Sequence, residues 1–221
     1  MTNKTLKHKM FVIPNDDKHF HEECDYEDLG NFPHLFRLIL AGPCNAEKTN
    51  YIYNVLLQKK PMFERILNFH NDENAKEYQN VDAEYIEELL PIQEIDINTH
   101  NGIIIEDIDY KNMKNGKQQQ SLLDKYFGYF STHHNISIIL TAQDPFQIPP
   151  NIRQMSSHVV LWKNHDLNSM TILSSCFNIK TKHLKYFFDH ICKDKHDSLL
   201  IDTMRDEKYR LRKNLYVIIE Y

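Results

Sequence analysis

The chain is 221 residues long, with 41% hydrophobic and 26% charged residues and only 5 Gly and 8 Pro. Those proportions fit one globular domain carrying a short appendage and exclude collagen, coiled coil and long disorder. With 31 acidic against 26 basic residues the net charge is -5, which excludes a massively basic nucleic-acid binder and leaves room for a local basic surface. The cysteines Cys24, Cys44, Cys176 and Cys192 stand far apart with no CxxC spacing, and the N-terminus has no apolar core of the secretory kind. A reducing, intracellular setting is expected. Apolar runs such as Ile103 to Ile105 and Ile138 to Leu140 are far shorter than the about 20 residues of a spanning helix, so a soluble protein without membrane contact is expected.

Residues 1–33 are polar and His-rich, broken by Pro14 and Pro33, and read as an arm or partner-binding extension ahead of a single domain over 34–221. From Leu35 onward, short apolar runs alternate with longer amphipathic ones, the pattern of a parallel sheet covered by helices, so the predicted class is α/β. A buried strand over 36–41 runs into a Gly42-Pro43 turn and a helix over 48–59. A second strand at 65–69 leads into a polar loop over 70–81, after which Asp82 is placed to cap a helix through Leu90. Gly102 to Ile105 is a fully apolar strand ending abruptly in Glu106-Asp107. A helix over 121–130 precedes a fourth strand at 136–141, which ends at Ala142-Gln143. The fifth strand, 158–162, follows the Pro149-Pro150-Asn151-Ile152-Arg153 segment. Helices at 167–177 and 182–192 and an antiparallel pair at 198–204 and 210–221 complete the chain.

In open parallel sheets, chemistry gathers at the carboxyl ends of strands, where loops and helix N-termini converge. Here three strand ends carry polar residues. Gly42-Pro43-Cys44-Asn45-Ala46-Glu47-Lys48-Thr49, continuing into Asn50, comes close to G-x-x-x-x-G-K-[ST] in the strand-loop-helix context that this phosphate-binding loop requires. Successive backbone N–H groups would hold phosphate, Lys48 would reach its oxygens and the Thr49 hydroxyl would ligate Mg²⁺. One residue departs: Glu47 stands where the pattern has its second Gly. A carboxylate roughly 5 Å from a phosphate charge, at an effective dielectric near 20, would cost on the order of 3 kcal/mol. Glu106 and Asp107 place paired acids where an apolar strand leaves the core, which suits a cation and an attacking water. Gln143 places an amide at a neighbouring strand end.

On these residues the sequence resembles the FtsK/HerA branch of P-loop ATPases, and within it the DNA-packaging ATPases of large DNA viruses. The resemblance covers about 36–221. It rests on LILAGPCNAEKTN, NFHNDENAKEY, GIIIEDID and above all SIILTAQDPFQIPPNIRQMSSHVVLW. It implies a three-layer P-loop NTPase fold of the additional-strand (ASCE) type. The expected sheet order is 5-1-4-3-2, with the C-terminal strands antiparallel. It further implies Lys48 and Thr49 as the Walker A pair, Glu106 as the Walker B acid, Asp107 as the catalytic carboxylate and Gln143 as the polar sensor. Arg153 would act across a subunit boundary, with Arg65, Arg205, Arg210 and Arg212 as other candidates. ATP with Mg²⁺ would be bound at Gly42 to Asn50, the metal by Thr49 and Glu106. The implied partners are double-stranded DNA, further copies in a ring of five or six, and a capsid or vertex protein, at viral assembly sites in the host cytoplasm. The chain departs from the family pattern at Glu47 and in reading Glu106-Asp107 where the usual order is Asp then Glu.

The Lys- and Arg-rich stretch from Lys180 to Lys213 is interspersed with acids and reads as a solvated mixed-charge face. The sets His19, His21, Cys24 and His183, His190, Cys192 lack tight Cys/His pairs, so no further metal site is expected. Two rival functions share the fold. One is a structural or binding subunit in which Glu47 has abolished turnover, and the other is a cellular or plasmid-borne DNA translocase of the same superfamily.

Overall fold

A computed structural model describes residues 32, 35–58, 62–70, 78, 81–107, 116–163 and 167–219. The proposed arm lies outside the described residues apart from Phe32, as do Asp109 and most of the 70–81 loop.

Strands with apolar residues at successive positions must be covered on both faces, and the sheet meets that demand. Its strands are β1 (Arg37–Ala41), β2 (Arg65–Phe69), β3 (Ala83–Ile86), β4 (Asn101–Ile105), β5 (Ile136–Ala142), β6 (His158–Trp162), β7 (Ser198–Asp202), β8 (Leu211–Lys213) and β9 (Val217–Ile218). They lie in the order β3-β2-β4-β5-β1-β6-β7-β8-β9. Pairing is parallel from β3 through β6 and antiparallel from β6 through β9. The expected order of the five main strands is therefore present as β6-β1-β5-β4-β2, extended on both sides.

Alternation along the strands sorts the core into two layers. Leu38, Leu40, Ile104, Ile139, Val160, Trp162 and Leu200 face helix α1 (Lys48–Gln58), which contributes Ile52, Val55 and Leu56. Ile39, Ile103, Ile105, Ile138, Leu140, Val159 and Leu161 face the opposite way. There they meet α2 (Gly116–Lys125), α4 (Pro150–Met155), α5 (Leu167–Cys176) and α6 (Thr181–Tyr186) through Leu123, Ile152, Leu173 and Leu184. Helix α2 runs on through a π-helical turn, Tyr126–Phe130, into the short α3 (Ser131–His133), and α6 ends in a second such turn, Phe187–Ile191. Phe32 is buried beside Phe36 and against the His158 ring, 4.4 Å between centroids.

Two expectations are corrected. The helix over 82–90 is absent: Asp82 has φ 52, a left-handed turn instead of the extended backbone of an N-cap. Ala83–Ile86 pairs with the edge of β2 instead. Arg65 donates to both carboxylate oxygens of Glu84 at 2.9 and 2.8 Å, so a polar edge pair replaces helix propensity. The C-terminal pair is in fact three strands, with the short α7 (Glu207–Arg210) between β7 and β8.

The antiparallel extension is built around buried charge. Asp202, at the end of β7, is 1% exposed. His158 Nε2 and Arg205 Nε each approach it to 3.3 Å, Arg212 donates at 3.0 Å and the Met204 N–H at 3.0 Å. Burial alone would raise its pKa, but His158, Arg212 and the Met204 N–H outweigh it and hold the carboxyl at about 2.

Candidate active site

Three parallel strands deliver the expected residues to one edge. Ala41 pairs with Ala142 and Ile105 with Leu140, so Gly42, Gln143 and Glu106-Asp107 leave the sheet as neighbours. Strand β5 lies between β1 and β4, which spaces the loop from the acids by two strand widths, about 10 Å. That gap suits a phosphate chain with a cation.

Gly42 is required by contact: a Cβ there would lie 2.9 Å from both Cβ and Cε3 of Trp162. Its N–H donates to Ala142 at 3.1 Å, fixing the exit of β1. Pro43, Cys44, Asn45 and Ala46 then form a turn closed by the Ala46 N–H on Pro43 O at 3.3 Å, with Ala46 buried and Cys44 exposed. Asn45 has φ 60 and Glu47 φ 67. The loop thus adopts at Glu47 the left-handed backbone for which the motif uses Gly, at a cost of about 1–2 kcal/mol for a residue with a side chain. Helix α1 starts directly afterwards, with the Tyr51 N–H on Glu47 O at 3.0 Å. Thr49 and Asn50 lie in its first turn. The Lys48 ammonium folds back over the loop onto Gly42 O at 2.9 Å and Pro43 O at 3.3 Å. An ammonium has three donors, so one remains for an anion in the loop.

The Glu47 carboxylate takes a direction that modifies the expected repulsion. Its Oε1 lies 3.3 Å from His196 Nδ1, both side chains 50% exposed. The acid therefore leaves the loop toward the turn before β7. It lines a cleft of about 610 Å³ with Asn50, Tyr51, Trp162, Asp197 and Asn214.

On β4 the acids differ. Glu106 is half-buried, and its N–H donates to Phe69 O at 3.1 Å. Continuing the alternation from Ile104 carries it to the face covered by α1. Asp107 turns with φ 40. Its N–H donates to Thr141 Oγ1 at 3.0 Å, and that hydroxyl lies 3.3 Å from its Oδ1. Thr141 was not among the sequence candidates, although a hydroxyl at the tip of an apolar strand was a readable signal. Gln143 is exposed. The loop after it is a capping box in which Asp144 accepts from the Phe146 N–H at 2.8 Å and Gln147 accepts from the N–H groups of Gln143 and Asp144 at 3.2 Å.

Arg153 is packed into its own loop. It is 6% exposed, donates to Pro145 O and Ile148 O at 2.8 Å each, and stacks over Phe146 at 5.1 Å. The guanidinium braces the loop that carries Gln143. Arg205 and Arg212 are likewise committed to Asp202, and Arg65 to Glu84.

No protein-family model and no curated protein sequence matches the chain. Solved structures do share its fold. B204, the DNA-packaging ATPase from Sulfolobus turreted icosahedral virus, superposes with TM-score 0.59 at 14% identity over 82% of this chain and 97% of that one. The genome-packaging NTPase B204 from Sulfolobus turreted icosahedral virus 2, in complex with ATP-gammaS, gives TM-score 0.55 at 12% identity over 84% and 98%. The pCW3 conjugation coupling protein TcpA with ATPgS gives 0.54 at 14% identity over 78% of this chain and 58% of that chain. Among the described residues no helix is long and apolar enough to cross a membrane. Strand order and neighbours agree: the chain shares the fold of the packaging ATPase B204 and of TcpA.

Proposed function

We propose that the protein is an ATPase that couples hydrolysis of Mg²⁺-ATP to movement of double-stranded DNA into a preformed viral capsid. The observation that carries this reading is the meeting of Gly42, Gln143 and Glu106-Asp107 at one sheet edge, with the loop already in the left-handed conformation at Glu47. Gly42 to Asn50 hold the triphosphate by backbone N–H groups and the dipole of α1, and Lys48 adds a fixed positive charge. Thr49 and Glu106 fit a Mg²⁺ ion, since one offers a hydroxyl in the first turn of α1 and the other a half-buried carboxylate on the face covered by that helix. Bound there, the ion supplies charge neutralisation of the phosphate oxygens. Asp107, held by Thr141, orients and deprotonates the attacking water, and Gln143 senses the terminal phosphate from its braced loop.

The fold neighbours named as packaging ATPases support DNA as the substrate; a ring of five or six subunits as the working form and a capsid or vertex protein as the docking partner belong to the same proposal. In this reading the protein acts at assembly sites in the host cytoplasm. Lys48→Ala should abolish Mg²⁺-ATP binding by the assembled protein and lower DNA-stimulated phosphate release by at least about 100-fold. Unchanged binding in that variant would remove the loop from the site.

A second reading has its own observation, the acid in a strained loop position. A chain whose ring hydrolyses nothing with DNA and partners present, while Glu47→Gly is active, is a passive subunit.

A further inference from the structure

We infer that His196 is a positioning residue for the nucleotide site: it draws the Glu47 carboxylate out of the phosphate loop. The inference rests on the reading of that loop as the nucleotide site. An acid at the second glycine position presents two difficulties. Its backbone must be left-handed, which the loop accepts at φ 67, and its charge must not meet phosphate. The second is met from outside the loop. The antiparallel direction of β7 brings the turn before it, 194–197, to the edge where the parallel strands end, since Trp162 pairs with Ser198. There His196 Nδ1 stands 3.3 Å from the Glu47 carboxylate.

That turn is anchored independently of the His196 side chain. The Asp197 N–H donates to Asp194 O at 3.0 Å and the Asp194 N–H to the Asp197 carboxylate at 3.0 Å. Asp197 is held in turn by Lys213 at 2.8 Å. The Trp162 indole N–H donates to His196 O at 3.3 Å while its ring sits against Gly42. A single residue thus touches the first loop position and carries the backbone of the histidine that holds the sixth. The geometry points to a restraint that lets an irregular loop bind an anion by fixing where its own anion goes.

The test is a double-variant cycle on the full chain, read as Mg²⁺-ATP affinity by titration calorimetry. It is run in a Lys195→Ala background, because Lys195 lines the same cleft and could take over the carboxylate. Adding His196→Ala should weaken affinity about fivefold at low ionic strength, the upper range for a half-exposed pair, and less at high salt. In the Glu47→Gln background the same substitution should change nothing, and His196→Lys should restore the original affinity. A loss that persists without the Glu47 charge, or no loss at all, overturns the inference. Failure of the reference protein to bind Mg²⁺-ATP would instead overturn the site itself.

Discussion

The two ends of the sheet treat charge in opposite ways. At the carboxyl edge of β1, β4 and β5, Lys48, Glu106 and Asp107 are partly exposed, and Asn45, Glu47 and Asp107 take left-handed backbone. Beyond β6 one charge cluster is fully enclosed, with Asp202 surrounded by His158, Arg205 and Arg212. The first arrangement keeps its charges in reach of solvent and bears strain in the backbone. The second spends its charges on each other, which fixes how the antiparallel strands attach and leaves nothing for chemistry.

This contrast breaks most visibly at Asp202. Asp202→Ala strands buried cations and should destabilise the protein by about 3–5 kcal/mol in urea unfolding. Its pH dependence has a definite sign. A folded pKa of about 2, below the roughly 3.9 of an unfolded Asp, gives a contribution of about 2–3 kcal/mol that is fully present above about pH 4. It is lost as pH falls from there through 2, so acid unfolding of wild type, followed by circular dichroism, should steepen in that window and that of Asp202→Ala should not.

Gly42→Ala lies where the two regions touch. Its methyl would meet Trp162 at 2.9 Å, and stability should fall by about 1–3 kcal/mol as the loop or the indole is displaced. A wild-type melting temperature in that variant would contradict the contact. Glu47→Gly is the smallest effect. Relief of left-handed strain is offset by the greater freedom of Gly in the unfolded chain, leaving a net gain of about 0.5 kcal/mol, measurable as a slightly raised urea midpoint.

Several elements were legible in the sequence to the residue. The strands at 65–69 and 158–162 are apolar runs bounded by polar or Pro-rich segments, and the structure keeps those limits. The 83–86 segment misled because Glu84, Tyr85, Glu87 and Glu88 mimic a helix surface, whereas an edge strand also exposes its polar face and draws support from Arg65. At the site, residues that directly follow buried strands were readable, since a strand end is a local signal. The contacts of Trp162 and His196 with the 42–47 loop had no such signal, because they depend on which strands lie side by side. The inward placement of Arg153 is illegible for the same reason: its buried partners, Pro145 O and Ile148 O, are backbone atoms without a sequence signature.

Trp162 has one more consequence. It is the only tryptophan of the 221 residues, and it is sandwiched between Gly42, where the loop after β1 starts, and the turn that carries His196. Tryptophan emission of the unlabelled chain therefore originates from this corner alone, a built-in optical probe of the loop with no background from the rest of the molecule.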